Sequence, residues 1–262
     1  MTWNGKNGRI SEDAPVKPVE VKPVEGKEPG KGEQPGSGVV QFIDVSRYQP
    51  NMHWGKVREA GFEAVVAKAQ DGESSPDPMF STHMRNAYAA GLVRGAYCFN
   101  RFSADPVTQA NFFAKNLSYT RWLIADIEWD KSKTTEAKFG KRYGEGKTMD
   151  DAAADHALKF LERLEALGFH PWIYSNTYFF LGFKNPERFA RFPYWASNYT
   201  QKAKAVKDLD VTKVPLPKPF KKPIAWQWTD KHPAAKAVTG DLGLDANVFY
   251  GSIDELKRLA GQ

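Results

Sequence analysis

Residues 39–99 read VVQFIDVSRYQPNMHWGKVREAGFEAVVAKAQDGESSPDPMFSTHMRNAYAAGLVRGAYCF. Three short apolar runs stand in this stretch, at Val40–Val45, Ala64–Ala69 and Val93–Phe99. Between them, Trp54–Ala60 and Met79–Ala90 repeat apolar residues at helical spacing. Strand alternating with helix is the pattern of a parallel sheet joined by crossover helices. The same alternation continues downstream, with strands expected at Trp122–Ile127, Pro171–Tyr174, Tyr194–Ser197, Ile224–Trp228 and Asn247–Tyr250. Helices are expected at Pro106–Leu117, Met149–Leu167 and Ile253–Leu259. The long one carries Asp150, Asp151 and Asp155 near its start, where negative charge suits the helix dipole, and stops at Gly168. This count of strands in one run of chain fits a single α/β domain of the (β/α) TIM-like barrel type over residues 39–262. An open doubly wound sheet is the alternative, but no Gly-rich turn follows the first strand where a dinucleotide site would need one.

The segment before Val39 is of another kind. Residues 1–38 hold five prolines, seven glycines and a single aromatic, Trp3, with Val-Lys-Pro-Val-Glu repeated at 16–20 and 21–25. Such a stretch buries too little apolar surface to offset its ordering entropy, so a disordered extension and linker is expected. Across all 262 residues, 41% hydrophobic and 13% aromatic side chains describe a globular chain. No apolar run approaches the length of a membrane span, and Met1–Ile10 lacks the charged-then-apolar pattern of a secretory signal. The single cysteine, Cys98, excludes an internal disulfide and any Cys-rich metal site, and is itself read as a small core residue. The five histidines show no metal-ligand spacing. The net charge of +6 resides in residues 39–262, because residues 1–38 carry six basic and six acidic groups. Its densest patch, Lys218–Lys222, is broken by Pro219 and reads as a solvated loop.

Barrel chemistry sits where strands end, so the first polar residues after each apolar run are the candidates. Asp44 follows Gln41-Phe42-Ile43, Asp126 and Glu128 end Trp122-Leu123-Ile124-Ala125, and Asp245 follows Leu242-Gly243-Leu244. Residues i and i+2 of a strand share a face, which sends Asp126 and Glu128 together into the barrel mouth. Close carboxylates disfavour each other's ionisation, leaving one able to donate a proton near neutrality while another stays charged. Glycoside cleavage needs that pair; a metal ion could be held by it as well. Aromatic residues accompany these ends: Tyr97, Trp129, Tyr174, Trp195, Tyr199, Trp226 and Trp228. Flat rings suit the apolar faces of sugars, although about half of such residues are expected to be packing. By alternation Trp226 and Trp228 share one face and Gln227 takes the other.

Together these motifs resemble family 25 of the glycoside hydrolases, the lysozymes (N-acetylmuramidases) common in bacteriophage endolysins and bacterial autolysins. The resemblance runs in order from Val40 to the C-terminus. It takes in Ile43-Asp44-Val45-Ser46 with Gln49 and Trp54, Lys68-Ala69 with Gly72, and Ala90-Gly91-Leu92 with Gly95-Ala96-Tyr97. It continues through Asp126-Ile127-Glu128, Pro171-Trp172-Ile173-Tyr174-Ser175, Trp195-Ala196-Ser197-Asn198-Tyr199, Trp226-Gln227-Trp228 and Asp245-Ala246-Asn247-Val248-Phe249. Departures are Cys98 where the family often has His, Gln70-Asp71 where it often has Thr-Glu, and His53 where it usually has Asp. The resemblance implies an irregular (β/α) barrel that hydrolyses the β-1,4 bond between N-acetylmuramic acid and N-acetylglucosamine in peptidoglycan. It places the catalytic acid on Glu128, with Asp126, Asp44 and Asp245 as the other acidic cleft residues. Tyr97, Tyr174, Trp195, Gln227, Trp228 and Asn247 are the expected substrate contacts, with no metal and no cofactor. The expected partner is peptidoglycan, met by a monomer without nucleic acid or membrane insertion. The expected setting is the host cytoplasm until release to the wall, or secretion by a non-classical route. A non-catalytic wall-binding module of the same fold and a chitinase-like glycosidase are the alternatives.

Overall fold

In the computed structural model, which describes residues 38–115, 117, 119–128, 151–177, 185–201, 203, 205–240 and 242–262, the strands close on themselves. The elements run β1 (Val39–Val45), α1 (Trp54–Glu59), β2 (Ala64–Asp71), β3 (Ser75–Pro76), α2 (Phe80–Ala89), β4 (Val93–Phe99), α3 (Pro106–Lys115) and β5 (Leu123–Asp126). There follow α4 (Asp151–Ala166), β6 (Trp172–Asn176), β7 (Tyr194–Ser197), β8 (Ala225–Thr229), α5 (Ala235–Thr239), β9 (Asp245–Tyr250) and α6 (Ile253–Ala260), with short 3-10 turns at Pro186–Phe189, Val206–Asp208 and Val211–Lys213. The sheet order is β1-β9-β8-β7-β6-β5-β4-β2-β3, and an additional β1–β2 pairing closes the barrel. β3 is a two-residue appendage folded back on β2.

Around the barrel the pairs β1–β2, β2–β4, β4–β5, β5–β6, β6–β7 and β7–β8 are parallel, whereas β9 is antiparallel to both β8 and β1. The sequence reading of an (β/α) barrel therefore holds with one reversed stave. Reversal puts the start of β9, not its end, at the mouth, so Asp245 opens its strand opposite Asp44, its Cα partner. The helix expected from Met149 is described from Asp151 onward, and residues 1–37 of the expected extension lie outside the described residues.

Strand alternation sorts the apolar residues into two cores. Inside the barrel are Val40, Phe42, Ala64, Val66, Val93, Trp122, Ile124, Trp172, Trp195, Ala225 and Phe249, closed from below by Leu256 and Ala260 of α6. The aromatic rings meet edge to face, Phe42 with Trp195 at 5.0 Å and with Trp122 at 5.4 Å between centroids, and Trp122 with Trp172 at 5.3 Å. Such contacts favour a fixed arrangement beyond the area they bury. Room for them comes from small residues opposite: a Cβ on Gly95 would lie 2.7 Å from Trp122. The outward residues Ile43, Val65, Ala67, Ala96, Cys98 and Leu123 pack instead under the helices, against Met84, Phe113, Ala154, Leu161 and others. Cys98 is a buried free thiol in this outer layer.

Capping chemistry ends the helices where the sequence indicates. Gly168, with φ +83°, follows α4 in the left-handed region. α6 begins at Ser252, whose hydroxyl accepts from the Glu255 amide at 3.1 Å. Among the described residues no helix is long and apolar enough to cross a membrane.

Candidate active site

The inward rows that fill the barrel floor with apolar rings turn polar one step higher. On β1 the row Val40, Phe42 ends in Asp44; on β5 the row Trp122, Ile124 ends in Asp126 and, two residues on, Glu128. β4 supplies Tyr97, β6 Tyr174, and β7 Trp195, whose row continues to Tyr199. β8 supplies Gln227 and β9 Asp245. These residues line a pocket of about 160 Å³ at the barrel mouth. Register holds them level: Asp126 is the Cα partner of Tyr174 and of Phe99, Tyr174 of Trp195, and Gln227 of Ser197 and Asn247.

Asp44 is fixed by two amides. Its Oδ2 accepts from Gln227 Nε2 at 2.9 Å and from Asn247 Nδ2 at 2.8 Å. Gln227 Oε1 in turn accepts from Tyr174 Oη at 2.7 Å, from Ser197 Oγ at 3.1 Å and from the Tyr199 hydroxyl. Asn247 Oδ1 accepts from Trp195 Nε1 at 3.1 Å. Two carboxamides thus tie one carboxylate, two tyrosines and the pocket tryptophan into one network.

Asp126 is the contrast. It is buried, and among the described residues its Oδ1 has no hydrogen-bond partner. A buried acceptor of this kind favours either a proton of its own or a donor brought by a ligand.

All four carboxyls are pushed up from their ordinary range, and burial leads in each. Asp44 reaches about 6 through burial, opposed by the Asn247 and Gln227 donors and reinforced by Glu128. Asp126 is held well above its usual value by burial and then by Glu128, with Lys68 pulling the other way. Glu128 is raised by burial and by Asp245, and lowered by the Tyr174 hydroxyl and Lys68. Asp245 reaches about 8 through burial, Asp44 and Asp230. From the sequence, the crowding of close carboxylates is expected to raise the acid. For Glu128 burial comes first, and Asp245 is the neighbouring carboxyl that adds to it. Burial also holds Tyr97 and Tyr174 far above their usual values, so both are neutral donors at any working pH.

The structure brings together Asp44, Tyr97, Asp126, Glu128, Tyr174, Trp195, Gln227 and Asp245. Two expected contacts are placed elsewhere. Trp228 faces the helices, 1% exposed in the outer core with its ring 5.6 Å from that of His232, because its neighbour Gln227 takes the inward position. Asn247 is fully buried and supports Asp44 and Trp195 from behind. Trp129 lies outside the described residues. Tyr199, one of the strand-end aromatic residues, also lines the pocket, on the inward step from Trp195 through Ser197.

A family model described as glycosyl hydrolases family 25 matches residues 43–237. The chain is 28% identical over 236 residues to protein YegX of Escherichia coli (strain K12), covering 85% of this chain and 74% of that one. Among solved structures, the bacterial lysozyme from Streptomyces coelicolor matches with a TM-score of 0.65 at 27% identity, covering 86% of this chain and 98% of that one. The muramidase from Trichobolus zukalii matches with a TM-score of 0.64 at 27% identity, covering 85% and 100%.

Proposed function

This chain belongs to the glycosyl hydrolases family 25, and from that premise we propose that the mouth pocket cleaves the bond between N-acetylmuramic acid and N-acetylglucosamine in peptidoglycan, with Glu128 as acid. The chain is a glycoside hydrolase of the muramidase type. The observation that carries the assignment of roles is the pairing of Glu128 with Asp126 in one buried, aromatic-walled pocket. Glu128, raised by burial, retains a proton to deliver to the leaving glycosidic oxygen and afterwards takes one from water. Asp126 presents an unpartnered buried oxygen. An N-acetyl sugar carries an amide N–H that such an acceptor binds, which turns the acetamido carbonyl toward the anomeric carbon as an internal nucleophile. Asp44 and Asp245 add negative charge beside the oxocarbenium-like centre when ionised. Tyr97, Tyr174, Trp195 and Tyr199 supply ring faces and hydroxyls for the sugars.

The test is release of reducing ends from purified cell walls. Wild type releases them; Glu128→Gln, which keeps shape but has no proton to give, loses at least about a hundredfold in rate with an unchanged melting temperature. Wild-type turnover in Glu128→Gln would remove that residue from the acid role.

A further inference from the structure

Among the described residues, the barrel's inward rows carry one cation. Lys68 continues the row Ala64, Val66 on β2 and is the Cα partner of Tyr97 in a parallel pair, so it points with Tyr97 toward the mouth. Its ammonium lies 5.9 Å from the centroid of the Tyr97 ring and 5.0 Å from that of Phe99. The side chain is only 12% exposed. A lysine so nearly buried requires a counter-charge, and Asp71 Oδ2 stands 3.1 Å away.

That carboxylate is already engaged. Arg101 holds Asp71 with two parallel bonds, Nε to Oδ1 at 2.5 Å and Nη2 to Oδ2 at 3.0 Å, and stacks 4.5 Å from the Phe99 ring. Fork-to-carboxylate pairing is the strongest geometry available to an arginine. Two cations thus share one anion at the edge of the pocket. Asp77 accepts from the Arg47 and Met79 amides and Glu73 from the Asp105 amide, while the charge of Lys68 also favours the ionised forms of Asp126 and Glu128. Of the three N–H groups on Lys68, Asp71 accounts for one among the described residues.

Resting on the muramidase reading, we propose that Lys68, which shares Asp71 with Arg101, is a carboxylate-binding group at the pocket edge that selects glycans bearing an anionic substituent over neutral ones. Arg101 and Asp71 are its positioning residues. The lactyl ether of muramic acid and the carboxylates of an attached peptide belong to the class of ligand it takes. An acidic pocket would otherwise repel such a strand, and an ammonium at its edge gives the strand one orientation.

The test compares two disaccharides of the same ring skeleton, one with a lactyl carboxylate (N-acetylglucosaminyl-N-acetylmuramic acid) and the neutral N,N′-diacetylchitobiose. Their binding to the full chain carrying Glu128→Gln is measured by calorimetry, so that turnover does not interfere. The anionic sugar should bind about tenfold more tightly, the size of one charge-assisted hydrogen bond. Lys68→Met should reduce that ratio toward one, and Lys68→Arg should retain most of it. Arg101→Gln should reduce it too, because Asp71 then takes up the lysine's charge. Removing both members, Asp71→Asn with Arg101→Gln, should bring the ratio back, an outcome that a merely structural role for the arginine does not give. If both sugars bind equally in every variant, the selection by Lys68 is wrong and the muramidase reading stands. If neither sugar binds, both fall together.

Discussion

Replacing Asn247 by leucine tests the network beneath the pocket in a way that separates packing from charge. The side chain is fully buried, and leucine fills nearly the same space. Three bonds are lost: Nδ2 to Asp44 Oδ2 at 2.8 Å, Nδ2 to the Phe42 carbonyl at 3.3 Å, and Trp195 Nε1 to Oδ1 at 3.1 Å. The indole N–H is left without its partner, which costs about 1–3 kcal/mol whatever the pH. Asp44 keeps the Gln227 donor and its own backbone amide, and losing one bond to the charged form costs about another 1.5–3 kcal/mol when Asp44 is ionised. Since Asp44 titrates near about 6, the second part is present at pH 8 and small at pH 5. The destabilisation should therefore be about 2 kcal/mol at pH 5 and about 4 kcal/mol at pH 8, read by urea unfolding at both. Because Asn247 lowers the Asp44 value, the variant should also titrate Asp44 at higher pH, moving any limb of the activity profile that depends on it upward. Equal destabilisation at the two pH values would refute the claim that Asn247 holds the ionised form of Asp44.

The same linkage governs the whole protein. A carboxyl raised on folding stabilises the fold below its ordinary value near 4, and that contribution disappears as pH rises through its folded value, here about 6 for Asp44 and about 8 for Asp245. The melting temperature should fall between pH 5 and pH 9, and Asp245→Asn should flatten the upper part of that fall; an unchanged slope in the variant would contradict the buried titration. Trp228→Phe should leave affinity for chitooligosaccharides unchanged while Trp195→Phe weakens it, because only Trp195 reaches the pocket; titration by intrinsic fluorescence or calorimetry decides. Gly95→Ala should destabilise by about 1–3 kcal/mol through overpacking, its Cβ meeting the Trp122 ring at 2.7 Å; a stability within error of wild type would mean the floor of the barrel is looser than described.

The strands were legible because each buries a face, and a buried face repeats every second residue. What a local pattern does not carry is direction. A period of two reads alike forwards and backwards, so the antiparallel course of β9 was invisible, and Asp245 was reached as a strand end when it is a strand start. The two displaced contacts show different limits. For Trp228 alternation held the answer, since Gln227 and Trp228 cannot both point inward. For Asn247 the face was right and the height was wrong, one layer below the carboxylates, and height depends on how strands stagger around a closed barrel. Lys68 was visible as a charge inside an apolar run, but its meaning depends on Arg101, which only the β2–β4 register brings to Asp71.

A muramidase cuts peptidoglycan on the muramic acid side of the bond. Mass spectrometry of fragments released from defined peptidoglycan, after borohydride reduction of the new ends, reads that directly. Reduced N-acetylmuramic acid is expected at every new end formed by wild type, and none with Glu128→Gln. Reduced N-acetylglucosamine at the new ends, or fragments released by cleavage within the peptides, would contradict it.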